Sequence, residues 1–589
     1  MIKIFETIKK YIFPLILLLV YVSFTVLTFG KWGNIFYDCF REVFIPQAIL
    51  DGKILYSDIT CLYPPLAYQV NALLFKIFGC SLNVLYSAAI TCSVLILSLL
   101  YKIIERYSSS LTAFVVVLSV MEIFTFRIEF LNSASWFFPY SFSFLYAFAA
   151  CFISFYFYVL YKEQKNRKLL YLIAFFAGLS IAFKLDFICF AFLIIYELFK
   201  NKELKDFLIC LGVYFAPLVF TYGIWFIGGG SFDALVQYKE FILNFITAPS
   251  VLTFNKFVLF QKINLPVLER LTDSAMHFVL NMVIISGISF LLVQCNKKIK
   301  NLFFKILGLI PIFLYVYMYF FKNFYLIQCY TRMNLNLAII PYIVMFGALF
   351  ILFFKRNKNN YSKQEKIYIL FAITGLLLSY RTFAMILISY IGNFSMILYW
   401  AAFLYLLLEL LPEYFSALKS NQYKNFVAIT ILLYSFTYPM IYLILANQKA
   451  FPIRTEKEVV YTVKKYADPL NETINYIKTN TPMDSSVLVV DEGLVINYVS
   501  GRKTNLKYYA LIPHTIDAYG EENILSDLQK MPPDYVVITN KEYIFTGYFG
   551  VHYAKQIAQY FIENYKTVKL VDFNENNVNA KFMILKKKS

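Results

Sequence analysis

The sequence predicts a polytopic α-helical membrane protein with a C-terminal α/β domain. Three observations carry this. Of 589 residues, 60 % are hydrophobic and 15 % charged, against about 25 % charged in soluble domains. Such a chain cannot cover itself with polar side chains in water. Apolar runs long enough to cross a bilayer recur down to Asn447. Beyond Asn447 the chain turns polar and no such run follows.

The start, "MIKIFETIKK", is basic and precedes the apolar run Tyr11–Phe29. That run is long for a signal peptide and no small-residue cleavage site follows it, so a retained signal anchor is expected. Further runs lie near 83–101, 110–126, 140–161, 169–186, 187–199, 207–227, 276–294, 303–320, 335–354, 367–380, 394–411 and 425–446. Counting the first, that is about thirteen spans. Charge sets their direction. With the N-terminus in the cytoplasm, the loops "YKIIERY", "KEQKNRK", "KNKELK", "NKKIKNLFFK", "KRNKNNYSKQEK" and "LKSNQYKN" all face inward, and every one is basic. This is the positive-inside pattern. An odd number of spans then places the C-terminal domain outside a multi-pass cell membrane protein.

The expected domains are 1–449, with long outward loops near 31–82 and 228–275, and 450–589. In the first loop, "FREVFIPQAILDG" has apolar residues at helical spacing and a Gly stop. It predicts an amphipathic helix on the membrane surface. "LYPPLAYQVNALLFKIFG" predicts a Pro-Pro turn and a second surface or re-entrant helix. In the tail, "SSVLVVDE", "DYVVITN", "TVKLVDF" and "KFMILKK" read as strands. "NETINYIKTN", "EENILSDLQKM" and "YAKQIAQYFIENY" read as helices between them.

Several function classes drop out. The net charge of +18 is explained by the basic inward loops, and no nucleic-acid motif is present. Nine Cys without a C-x-x-C pair, and three His, give no zinc site or disulfide framework. Cys39 and Cys61 share the first loop, and stand either as a pair or as two unrelated thiols. No Gly-rich loop for a nucleotide is seen. Nor is there the internal repeat of a transporter, although a lipid or solute transporter stays as an alternative. Asp491 and Glu492, in "VVDEG", are expected in a solvated turn at a strand end.

Asp38 lies just past the first span among Phe36, Tyr37 and Phe40. An apolar setting raises a carboxylate's pKa and suits it to act as a base; a helix cap or a solvated loop acid is the plainer alternative. The pattern D-x-x-R-E-x-x-x-P-x-x-x-x-x-G-x-x-L-Y-x-D-I-x-x-x-Y-x-P-L, from Asp38 to Leu66, resembles the opening of GT-C membrane glycosyltransferases. It is similar above all to bacterial family 39 enzymes such as protein O-mannosyltransferases and the lipid A aminoarabinose transferase. Here "YPPL" stands where many relatives have Tyr-Gly-Pro-Leu.

The resemblance implies an inverting transfer of a sugar from a polyprenyl-phosphate donor to a lipid, surface glycan or protein acceptor at the outer membrane face. Asp38 becomes the general base. Glu129, in the second outward loop, becomes an acid that binds the acceptor or positions Asp38; a salt bridge to Arg127 is its alternative. Arg41, Glu42, Asp58 and Tyr63 support the first loop, with a role as an alternative acid also open to Asp58. A departing lipid phosphate needs cations in a dry site, which nominates Lys184, Arg381 and Arg332, each of which has snorkelling to the interface as its alternative. Asp186 is an acid that competes with Asp38; its plainer role is to pair with Lys184, although i and i+2 do not face each other on a helix. Asp38, Asp58 and Glu129 could hold a divalent ion if the fold brings them together, but family 39 enzymes do not generally need one, so no metal and no cofactor are expected. An oligosaccharide ligase or polymerase using a polyprenyl-pyrophosphate glycan is the related alternative, and sparse outward Arg weighs against it.

Overall fold

The computed structural model describes residues 2–35, 39–128, 135–139, 141–188, 204–253, 285–287, 289, 344–354, 361–384, 389–455, 458–539, 541–543, 546–571 and 582–588. Among the described residues, the helices of the apolar part include α1 (Ile2–Thr28), α2 (Arg41–Leu50), α3 (Leu66–Phe78), α4 (Leu82–Tyr107), α5 (Ser110–Val120), α6 (Phe142–Gln164), α7 (Arg167–Phe183), α8 (Leu204–Ile227), α9 (Phe232–Thr247), α10 (Lys363–Ala384), α11 (Ser389–Tyr405) and α12 (Asn421–Gln448). Among the described residues, six helices are long and apolar enough to cross a membrane. They lie in α1, α4, α6, α8, α12 and the stretch Met396–Tyr414. The chain is a multi-span membrane protein. Several expected runs, including 276–294 and 303–320, fall wholly or largely outside the described residues.

Local sequence explains the helix boundaries. Ser81, Ser109, Ser141, Asn166, Ser231 and Ser420 each cap a helix N-terminus, the side chain accepting from a backbone N–H two or three residues on. In α1, Leu17, Tyr21, Phe24 and Thr28 are buried at helical spacing, while Leu15, Leu19, Val22 and Val26 are exposed. A peripheral span with one face on protein and one toward lipid gives this division. Helices α7 and α8 approach closely because Gly178 has no Cβ; one added there would meet the Tyr214 carbonyl oxygen at 1.8 Å.

Among the described residues, two π-helical turns interrupt apolar helices, Met121–Thr125 after α5 and Leu406–Leu410 after α11. Each carries an acid. Glu122 accepts from Ser435 on α12. Glu409 accepts from Thr112 at 2.5 Å and Lys424 at 3.0 Å. Both carboxylates thus pin neighbouring helices. A lone acid in the apolar run "VVVLSVMEIFTF" is the available signal for Glu122.

The tail forms β1 (Phe451–Arg454), β2 (Val459–Thr462), β3 (Val487–Val490), β4 (Tyr535–Thr539), β5 (Glu542–Tyr543), β6 (Gly547–Tyr548), β7 (Tyr565–Val571) and β8 (Phe582–Lys587). Its helices are α13 (Lys464–Asn480), α14 (Leu494–Ser500), α15 (Pro513–Tyr519), α16 (Glu521–Lys530) and α17 (Lys555–Asn564). All four expected strands form one sheet, ordered β3-β4-β8-β7. Only β3 and β4 run parallel; β4–β8 and β8–β7 are antiparallel.

The tail is bolted to the first loop and to α4. Glu458 accepts from the N–H groups of Leu82 at 3.0 Å and Asn83 at 3.2 Å, and from the Tyr498 hydroxyl. A carboxylate from the tail therefore caps the positive end of a membrane helix. Thr60 donates its backbone N–H to the Lys507 carbonyl at 3.0 Å, and Lys503 pairs with Asp51 at 2.6 Å. Removing a cap costs about 1 kcal/mol. Glu458→Ala is expected to destabilise the joint by about that much and to speed limited proteolysis near residues 449–464; unchanged cleavage would show the cap to be dispensable.

Candidate functional site

The first loop builds a dense polar cluster on a buried frame. Helix α2 starts at Arg41, and six of its ten residues are buried, including Arg41 and Glu42. It therefore packs within protein, where the sequence suggested the membrane surface. Its apolar stripe meets side chains, not lipid.

Glu42 is the hub. It is fully buried. Its Oε1 accepts from Arg41 Nε and Nη2, both at 3.2 Å, and from the Tyr68 hydroxyl of α3 at 3.3 Å. Its Oε2 accepts from the Phe142 N–H, at the start of α6, at 3.0 Å. Burial pushes the Glu42 carboxyl up, and the Arg41 charge, the Phe142 N–H and the Tyr68 hydroxyl oppose that. One carboxylate thus ties α2, α3 and α6 together.

Tyr63 joins this hub to Lys184. The Arg41 guanidinium lies 5.4 Å from the Tyr63 ring centroid and Lys184 Nζ 4.3 Å from it. Two cations thus converge on one aromatic ring. Lys184 is only 6 % exposed. It can reach there because α7 ends at Phe183: Lys184 is extended, φ −158° and ψ 122°, before a 3-10 turn at Leu185–Phe187. The same break allows the ion pair of Lys184 with Asp186 at 3.2 Å.

Asp58 is exposed and braces the loop. Its side chain accepts from the Ile54 N–H at 2.9 Å. Tyr56 next to it has φ +77°, a rare conformation for a bulky residue. It is held by stacking on Tyr238 of α9 at 4.1 Å and by its hydroxyl, which donates to the Tyr63 carbonyl at 2.9 Å. Such over-determined backbone positions cluster at functional sites. Cys39 and Cys61 form no disulfide. Cys39 Sγ accepts from the Asn34 N–H at 3.3 Å, whereas the Cys61 thiol donates to the Tyr63 carbonyl at 3.4 Å.

Asp38, Glu129 and Arg332 lie outside the described residues. Arg381 falls in α10, and its side chain is outside the description. The structure therefore brings Arg41, Glu42, Tyr63 and Lys184 together, and sets Asp58 apart as a loop brace. Among the described residues no group of His, Cys, Asp or Glu comes together to hold a metal ion.

The tail holds a second polar cluster. Asp491, at the carboxyl end of β3, is fully buried, not in the solvated turn expected of it. It accepts from the hydroxyls of Tyr553 and of Thr539, the latter at 3.4 Å. Burial pushes its carboxyl up to about 6. Glu492 accepts from Lys541 at 3.0 Å and the Tyr543 hydroxyl at 2.7 Å. The aromatic hairpin β5–β6 thus closes over the strand ends, a covering of which the short motif "VVDEG" carries no hint.

No protein-family model matches the chain, and no curated protein matches it. Among solved structures, it is similar over 97 % of its length to ArnT from Cupriavidus metallidurans bound to undecaprenyl phosphate, covering 98 % of that chain at 11 % identity with a TM-score of 0.43. It is similar over 90 % of its length to the Archaeoglobus fulgidus oligosaccharyltransferase tethered with an acceptor peptide, covering 69 % of that chain at 13 % identity with a TM-score of 0.48. It is likewise similar over 90 % to AglB, the oligosaccharyltransferase of the same archaeon in complex with an inhibitory peptide and a dolichol-phosphate, covering 70 % of that chain at 14 % identity with a TM-score of 0.40.

Proposed function

We propose that the protein is an inverting glycosyltransferase. It moves a sugar from a polyprenyl-phosphate donor to a lipid, surface glycan or protein acceptor at the outer face of the cytoplasmic membrane. The observation that carries this reading is the convergence of Lys184 and Arg41 on Tyr63, in the loop that begins with Asp38. Cations in a dry site are what a departing lipid phosphate requires. A lipid donor enters sideways from the bilayer, so no nucleotide-binding loop is needed.

In this reading Asp38 takes the proton from the acceptor hydroxyl. The acceptor oxygen attacks the anomeric carbon opposite the phosphate, and the carbon–phosphate oxygen bond breaks. Lys184 meets the charge that develops on the leaving phosphate. Arg41 is committed to Glu42 and shapes the field around Lys184. Glu129 holds the acceptor, and Arg332 and Arg381 are further phosphate contacts. Domains 1–449 and 450–589 divide catalysis from the outward cover.

The test is transfer from a labelled polyprenyl-phosphate monosaccharide by the purified full chain in detergent. Transfer from this donor is expected. Turnover of a polyprenyl-pyrophosphate oligosaccharide alone, or solute uptake into proteoliposomes with no sugar transferred, overturns the reading. Lys184→Met is expected to lower kcat by roughly 10²-fold, with Lys184→Arg partly restoring it because the charge is kept. An equal loss in both variants would mean that packing against Tyr63, not charge, is what matters.

A further inference from the structure

Helix α9 presents two different faces. Ala234, Tyr238, Phe241 and Phe245 recur at helical spacing on one of them. Ala234 and Phe241 are buried. Tyr238 stacks on Tyr56 and donates to the Leu62 carbonyl at 3.3 Å. Phe241 stacks on Tyr519 of α15 at 4.6 Å, and Asn244 donates to the Ala518 carbonyl at 3.2 Å. This face therefore joins the first loop to the tail.

The other face is a continuous apolar stripe. Phe232, Val236, Leu243 and Ile246 follow at intervals of four, seven and three residues, and all are more than half exposed. Lys239 sits inside that stripe by the same spacing and is also exposed. The stripe follows directly from the span α8. Val219, Phe220 and Ile227 of that span are strongly exposed, and only Gly228, Gly229, Gly230 and Ser231 separate the two helices. The turn is fixed by glycine: Gly229 has φ +101°, and a Cβ on Gly230 would strike the Trp225 ring at 2.4 Å. Helix α9 thus starts at the end of a membrane span, with its protein face already occupied.

We propose that α9 is a membrane-interface helix whose stripe Phe232, Val236, Leu243 and Ile246 enters the acyl boundary of the leaflet next to the end of α8, with Lys239 snorkelling to lipid phosphate. An exposed apolar stripe continuous with a span's exposed face, and broken only by a long cation, matches a lipid surface. Through Phe241 and Tyr238 the bilayer then sets the position of the tail relative to the first loop.

The test places a photoreactive benzophenone side chain at Val236, Leu243, Gln237 or Asp233 of the full chain. Each variant is reconstituted in phosphatidylcholine–phosphatidylglycerol vesicles, irradiated and read by mass spectrometry of the α9 peptide. Lipid adducts are expected at positions 236 and 243, severalfold above 237 and 233 and comparable with position 219 in α8. Equal labelling at all four positions overturns the proposal. So do crosslinks from 236 and 243 to protein, whether another segment of this chain or a second copy. Positions 232 and 246 carry the same expectation and replace any variant that does not fold.

Discussion

Asp38→Asn is expected to reduce sugar transfer by about 10²–10⁴-fold, the contribution of a general base, with donor binding left nearly unchanged. The amide keeps the size and one acceptor oxygen of the carboxylate but cannot take a proton. The effect should therefore fall on kcat, while KM for the lipid donor, whose phosphate is assigned to Lys184, stays close to wild type. Asp38→Glu should retain part of the activity if the loop tolerates the longer side chain. Full activity in Asp38→Asn would remove Asp38 as the base and leave Glu129 as the acid to examine. The measurement is a transfer assay with a labelled polyprenyl-phosphate sugar, run alongside donor binding by the same purified variants.

Much of the architecture is legible in the sequence, because bilayer thickness imposes a length on every apolar run. The four strands of the tail's main sheet, and three of its five described helices, are readable from alternation and turn residues. What the sequence does not disclose is which apolar surface meets lipid and which meets protein, since both neighbours are equally apolar. The spacing in "FREVFIPQAILDG" predicts a helix, and α2 forms. Its burial depends on Tyr68, Phe142 and Tyr63, which lie far along the chain or in another element. The exposed apolar faces are found instead on α3, where Leu73, Ile77 and Phe78 are exposed, and on α9. Lys184 shows the same limit. Its type and place near a span end are visible, but its capture by Tyr63 requires α7 to stop at Phe183, and no Pro or Gly marks that stop. Glu458 is invisible as a cap, because the N–H groups it meets are hundreds of residues earlier.

Glu42→Ala is expected to be the most destabilising single change in the first loop. Breaking a buried ion pair by removing one partner costs about 3–5 kcal/mol, because the other charge stays in a dry site. Here the loss also strands the Phe142 N–H and the Tyr68 hydroxyl, both of which point at the vanished carboxylate. Leaving a buried donor unpaired costs about 1–3 kcal/mol on its own, although water entering the cavity recovers some of it. Glu42→Gln should cost less, because its carbonyl oxygen still accepts while its charge is gone. The discriminating comparison is the double variant Arg41→Met with Glu42→Gln. If the cost of Glu42→Gln is mainly the lost attraction between Arg41 and Glu42, adding Arg41→Met should cost less in the Glu42→Gln background than in wild type, a favourable coupling readable in a double-mutant cycle. Thermal unfolding in detergent reports the cycle, and transfer activity at a temperature where every variant stays folded separates stability from chemistry. Additive losses would mean that Arg41 and Glu42 act independently. Glu42 would then hold the three helices through Phe142 and Tyr68, and Arg41 would be held by contacts other than Glu42, the Tyr63 ring it shares with Lys184 among them.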